Sequence, residues 1–300
     1  MKRLVAVALT AAMLTGCSSH AGAAESITAA VRQLPGVAAA ESDFRSSWTG
    51  GARYDLTVTL DPLATPAQAA AVGQTFTDLI DKDGFSDSQV HLKVDYRATM
   101  SMSSAEFSFE DRPSSTAVSD SLRDWLAIAR SAGVAAVNWS EGLKVTVGPV
   151  AKDSDLRAIA QNHPKVVWIL IGLVDPLDVA SKADLRETYE VTGMVPDQKL
   201  RDRWNEIVAE LGDVGHVAAR TDAAGNPPTN VTVNIPTTSG NQQQNLAQAW
   251  MTFPLLNGLP LPARVQFGSD IFTIGGCTPP DPRHGSSELE AELRRKFERC

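Results

Sequence analysis

The sequence predicts an α+β fold built from tandem units, on three observations. Gly36-Val37-Ala38-Ala39, Gly133-Val134-Ala135-Ala136 and Gly215-His216-Val217-Ala218-Ala219 each end a helical pattern and open a strand. Each is answered downstream by a segment with apolar residues at period two, over 54–60, 143–147 and 231–235. An amphipathic helix and a further strand follow each time, so the order helix, strand, strand, helix, strand recurs along the chain. Adding strands over 105–110 and 188–192 turns the second and third repeats into βαββαβ arrays, the split βαβ order of ferredoxin-like units. Polar residues at the alternate positions of most strands imply antiparallel sheets with helices on one face and water on the other.

The chain starts with a different kind of segment. Lys2 and Arg3 precede an apolar run from Leu4 to Leu14, which has the length of a signal peptide and falls short of the roughly 20 residues of a membrane span. Leu14-Thr15-Gly16-Cys17 then resembles the lipobox of bacterial lipoproteins at every position. The resemblance implies a diacylglycerol thioether on Cys17, cleavage before it, and palmitate-type acylation of the new amino terminus. The rival reading is an ordinary secretory signal cut after Ala21-Gly22-Ala23. Several acyl chains anchor stably where one binds only marginally. Deleting 1–16 removes Lys2 and Arg3 and takes the formal charge from −8 to −10. So acidic a chain is no nucleic-acid binder, and its hold on the membrane rests on the anchor alone. Residues 17–25 read as a flexible lipidated tether.

The helices follow from apolar spacing and end signals. Thr65-Pro66 starts a helix carrying Val72, Phe76, Leu79 and Ile80 on one face, with Gly84 as a stop. Leu122, Trp125, Leu126 and Ala129 mark the next; Asp153 caps one bearing Leu156, Ile159 and Ala160. Pro196-Asp197 opens a helix with Leu200, Trp204, Ile207, Val208 and Leu211, closed by Gly212. Leu246, Ala249, Trp250 and Phe253 line the last helix of the third unit. Strands are expected over 90–96, 166–171, 263–267 and 271–274. The continuous apolar run Val166 to Ile171 reads as a central strand buried on both faces.

Export places the two remaining cysteines, Cys277 and Cys300, in an oxidising compartment, where they are expected to pair. Between them Pro279, Pro280 and Pro282 enforce an extended run. Ser287 and Glu290 then have capping-box spacing for a helix with Leu289, Leu293 and Phe297 on one stripe. Glu290/Arg294 and Glu292/Lys296 support that helix as i,i+4 pairs. The divisions are thus a signal peptide over 1–16, a tether over 17–25, units over 26–100, 101–176 and 177–276, and a stapled Pro-rich segment and helix over 277–300.

Residues 119–171, with the glycine-framed "GLKVTVGPV" at 142–150, resemble the BON domain of bacterial envelope proteins. The apolar alternation departs from that pattern by one position, and the first and third units carry longer inserts. The resemblance implies an envelope or lipid-binding role and transfers no individual binding residue.

Catalytic signatures are absent. There is no G-x-S-x-G elbow, Walker loop, Rossmann glycine pattern, H-E-x-x-H or C-x-x-C. His91 falls on the polar side of a strand, His163 at a helix end and His216 in a turn, positions that suit solvated or capping roles. Asp81-Lys82-Asp83-Gly84 with Asp87 imitates a calcium loop, but the glycine comes early and the closing glutamate is missing. Asp281-Pro282-Arg283-His284-Gly285-Ser286 holds the residue types of a hydrolase triad along one extended run, where neighbours point apart. What remains is the polar sheet faces: Asp55, Thr57 and Thr59; His91, Lys93 and Asp95; Lys144 and Thr146; Thr232 and Asn234. The expectation is a non-enzymatic, cofactor-free binding or scaffold module, lipid-anchored at the cell membrane on its exported side, with an envelope protein or lipid as partner. The alternatives are a carrier of lipid or another apolar ligand, and an envelope hydrolase without a recognisable motif.

Overall fold

The computed structural model describes residues 20–47, 51–83, 85, 88–97, 104–109, 115–148, 150–172, 187–211, 215–222, 228–235, 242–279 and 287–300. The fold is α+β. It divides into two compact units, Met1–Gly142 and Leu143–Cys300, so the expected second unit over 101–176 straddles the division.

The first unit runs α1 (20–32), β1 (Val37–Ser47), β2 (Gly51–Leu60), α2 (Pro66–Lys82), β3 (Ser88–Arg97), β4 (Ser104–Phe109), α3 (Ser115–Ala129) and β5 (Val134–Trp139). Its strands lie side by side in chain order, with β1/β2 and β3/β4 antiparallel and β2/β3 and β4/β5 parallel. The second unit runs β6 (Leu143–Val147), α4 (Asp153–Asn162), β7 (Val167–Ile171), β8 (Thr188–Thr192), α5 (Gln198–Leu211), β9 (His216–Asp222), β10 (Thr229–Asn234), α6 (Gln242–Thr252), a 3₁₀ turn (Phe253–Gly258), β11 (Ala263–Phe267), β12 (Asp270–Ile274) and α7 (Glu288–Phe297). Here β6/β7, β8/β9 and β10/β11 are parallel, and β7/β8, β9/β10 and β11/β12 antiparallel.

The element order is thus the expected one, but the strand order corrects the ferredoxin-like expectation. A split βαβ unit separates its two parallel strands by a third. Here each crossover helix joins immediate neighbours, and hairpins alternate with parallel pairs. Sequential elements tend to pack next to one another.

Period-two burial places the core on one face of each sheet. In β2, Tyr54, Leu56, Val58 and Leu60 are buried while Arg53, Thr57 and Thr59 are exposed. Above them α2 brings Val72, Phe76 and Ile80, and α3 brings Leu122, Trp125 and Leu126. Gly73 lets α3 come close to α2, since a Cβ there would meet Leu122 at 2.8 Å. In the second unit Trp168, Tyr189, Trp204, Phe253 and Phe272 are the large buried side chains. Each buried Leu, Ile, Val or Phe contributes about 1.5–3 kcal/mol, and it is this face that holds the fold together.

Local signals explain the element ends. Thr65 caps α2 with a full capping box: its hydroxyl accepts from Gln68 N, and the Gln68 side chain accepts from Thr65 N at 2.8 Å. Gly36 and Gly133 turn α1 into β1 and α3 into β5 with φ of +86° and +84°, a conformation that favours glycine, and this is the physical content of their repeat. Gly215 has no such angle; a Cβ there would press on Asn234 O at 2.7 Å, so close approach is its reason for being glycine. Gly84 and Gly212 lie outside the described residues.

Three expectations change. Residues 20–25, expected in the tether, are already helical, with Ala24 buried and the His20 ring 5.3 Å from that of Phe85. Asp153 does not cap α4 but occupies its first turn, because Arg201 engages its carboxylate. β7 lies between β6 and β8, yet only Trp168 and Leu170 are buried, while Val167, Ile169 and Ile171 are half-exposed. Ile169 is flanked in register by Thr146 and Glu190.

Tyr54 joins α1 to the sheet. Its phenol donates to Ala24 O at 3.2 Å and lies 3.0 Å from Thr28 Oγ1, which is itself 2.8 Å from Ser42 Oγ. Burial pushes this phenol up from its ordinary value to about 12, against the pull of the Thr28 and Ser42 hydroxyls. A raised folded-state value means the contribution is complete below pH ~10 and is lost as pH climbs towards 12. Stability should therefore fall by about 1 kcal/mol at pH 11 on this account, and Tyr54→Phe should remove that part of the alkaline loss. Urea titrations at pH 9 and 11 check it; an unchanged alkaline loss in Tyr54→Phe would refute the assignment.

Candidate functional site

The open face of the first sheet carries the sequence-predicted polar residues as an ordered lattice. β1 and β2 place like charges opposite one another, Asp43 against Asp55 and Arg45 against Arg53. The attraction runs along each strand instead: Arg45 Nε bonds Asp43 at 2.7 Å, and Arg53 Nε reaches Asp55 at 2.7 and 2.9 Å. Across to β3, His91 Nδ1 lies 3.7 Å from Asp55 Oδ1. Lys93 then sits 3.6 Å from Asp95 and 3.3 Å from Glu106 on β4. Partial desolvation lowers the Lys93 value, but the two carboxylates outweigh it and hold the ammonium above the usual lysine range. Asp43, Asp55, Asp95 and Glu106 each lie beside a cation, so this part of the surface is suited to recognising a polar partner.

The strands of the second unit show the same alternation more sparsely. Lys144 and Asn234 are exposed and Thr232 half-buried, but Thr146 is buried at 8% exposure, correcting its place among the open-face residues. Arg220 and Glu190 approach to 3.9 Å on neighbouring strands.

Cys277 and Cys300 come together, with their Cα atoms 5.3 Å apart, a separation that a bridge can span. The helix it tethers does more than lie on the body. Ile271 N donates to Glu290 Oε2 at 3.3 Å, Arg294 Nε donates to Ile271 O at 3.1 Å, and Thr273 N donates to Glu298 Oε1 at 3.1 Å. Residues spaced i, i+4 and i+8 thus satisfy backbone groups along the outer side of β12, the last strand of its sheet. Ser287 caps α7 by accepting from Glu290 N at 2.9 Å and donates to Asp270 at 2.5 Å. The Glu290 carboxylate does not return to the cap, because the strand and Arg294, at 2.6 Å, engage it. Lys296 stands 4.4 Å above the Trp250 ring.

The sequence-predicted histidines and the calcium-loop imitation take ordinary structural places. His163 is the C-cap of α4, and Asp81 and Lys82 end α2 with Asp83 as C-cap. Gly84, Asp87 and the run Asp281 to Ser286 lie outside the described residues, as does Cys17. No group of three His, Cys, Asp or Glu suited to a metal ion occurs among the described residues, and none of their helices is long and apolar enough to cross a membrane. Sequence reasoning missed one titratable pair: burial raises the Glu187 carboxyl above its ordinary value, and His216 opposes the shift. Glu187 Oε2 and His216 Nδ1 are buried without a hydrogen-bond partner among the described residues. No sequence motif links them, since register alone brings the approach to β8 beside the start of β9.

No protein-family model, curated protein or solved structure matches this chain.

Proposed function

We propose that the protein is a lipid-anchored lipoprotein of the cell envelope that works as a non-enzymatic binding or scaffold module, facing the exported side of the membrane. The observation that carries the reading is Cys17 within Leu14-Thr15-Gly16-Cys17, behind a basic start and a short apolar run. Three features support it. The Cys277–Cys300 proximity suits an oxidising compartment. The charged lattice offers a hydrated surface of paired charges for a polar partner. The chain is already helical at residue 20, three positions after Cys17, so an acylated Cys17 would hold the folded body close to the bilayer.

The test is Cys17→Ser expressed in a bacterium that processes lipoproteins. Wild type should partition into detergent and carry a diacylglycerol thioether on Cys17 by mass spectrometry; the variant should leave the membrane fraction. A free Cys17 thiol in the mature wild-type chain, or a first residue beyond it, would overturn the proposal.

A further inference from the structure

β1 and β12, the first and last strands in the sheet order, are treated differently. β12 has its outer backbone groups covered by side chains of α7. β1, the first strand in its sheet, hydrogen-bonds among the described residues along one side, to β2. Of its carbonyls only that of Ala40, near its start, is engaged by a side chain among the described residues, accepting from Arg32. Residues 41–43, 45 and 46 are exposed and Phe44 is half-buried. An edge of this length pairs with another strand unless its side chains forbid it.

The side chains favour one central pairing over its neighbours. Two copies of β1 that pair antiparallel about a two-fold axis perpendicular to the sheet keep their helices on one side, and the axis must then pass through a residue facing itself. An axis at Ser42 sets Glu41 against Asp43 of the second copy, one at Asp43 sets it against itself while bringing Glu41 to Arg45, and one at Arg45 sets two guanidiniums together. An axis at Phe44 sets each Asp43 against the Arg45 of the other copy, and stacks Ser42 against Ser46 and Phe44 against Phe44. Asp43 and Arg45 are 49% and 76% exposed, so both are available for this exchange. The pairing would also place opposite charges across the strands, where β2 places like ones.

We propose that the protein forms a symmetric homodimer by antiparallel pairing of β1 with a second copy, centred on Phe44 and selected by the Asp43–Arg45 exchange. Among the registers centred on Ser42 to Arg45, the one at Phe44 makes opposite-charge pairs with no like-charge pair, so the edge is self-complementary there. The proposal does not depend on acylation of Cys17.

The experiment uses the intact protein in non-ionic detergent, so that the anchored and unanchored chain are treated alike, with light-scattering mass and sedimentation as readouts. Wild type is expected to be dimeric. Asp43→Arg sets the introduced guanidinium against Arg45 of the other copy, twice per dimer, and Arg45→Asp sets the introduced carboxylate against Asp43 in the same way; each should weaken association by about tenfold or more. Mixed together, these two variants should form a dimer of one copy each, because both cross-strand pairs are then opposite in sign. The double exchange D43R/R45D should restore self-association. Far-UV circular dichroism and melting confirm that the variants fold, and the double exchange provides a reading should one single variant fail. A wild type that is monomeric at every attainable concentration, a dimer indifferent to both substitutions, or folded single variants that fail to pair when mixed would overturn it.

Discussion

Replacing Cys277 and Cys300 together by serine is expected to lower the stability of the second unit by about 3 kcal/mol, through the closure entropy of a loop of this length. The two residues are 23 apart in sequence. For a unit of this size the melting midpoint should drop by roughly 6–12 °C. The more specific consequence is local. Glu290, Arg294 and Glu298 reach β12 only while α7 lies along it, so loosening the tether uncovers Ile271 and Thr273. Their amide protons should exchange roughly a hundredfold faster in the variant or in the reduced protein than in the oxidised chain. Neighbouring amides of β12 that bond β11 should change less. Identical exchange at Ile271 and Thr273 with and without the bridge would show that Leu293 and Phe297 packing alone seats the helix. An uncovered β12 also becomes an edge open to strand addition, so aggregation on reduction is the expected companion effect.

The legible parts of the fold were those set by local rules. Strand alternation and the capping residues Thr65 and Ser287 are short-range signals, and β6, β8 and β11 begin and end where their side-chain pattern does. Strand order was not legible, because hairpin-and-crossover and split βαβ arrangements read identically along a chain and differ only in which strands touch. The run Val166 to Ile171 misled for a related reason: a half-exposed apolar face in a central strand looks, in sequence, like a strand with two covered faces.

Of the candidate surface, the residues of the polar face could be read from period two, but the partners of each charge could not. Register decides that Lys93 meets Glu106 and that Asp43 faces Asp55. The capping of β12 was hidden in what looked like ordinary i,i+4 helix pairing. Glu290 and Arg294 do bond each other, yet both also bond the strand.

Arg201 falls outside the apolar stripe that the sequence assigns to α5, yet it is one of the buried residues of that helix, at 6% exposure. Its guanidinium donates to Asp153 Oδ1 at 3.0 Å, Pro196 O at 2.7 Å, Ala151 O at 2.9 Å and Gln198 Oε1 at 2.6 Å. One side chain thereby fixes the entries to both α4 and α5. Arg201→Ala removes the donors and leaves two backbone carbonyls in a site that excludes water, so about 3 kcal/mol of destabilisation is expected. Arg201→Lys keeps the charge but lacks the planar fork that spans four acceptors, and about 1–2 kcal/mol should be lost. Asp153→Asn should cost less, within about 1 kcal/mol, because the carboxylate is 27% exposed and water can replace its bond. Chemical denaturation of the full chain orders the three. If Arg201→Met, which preserves the stem packing, were as stable as wild type, the hydrogen bonds would contribute nothing net and Arg201 would act through its methylenes alone.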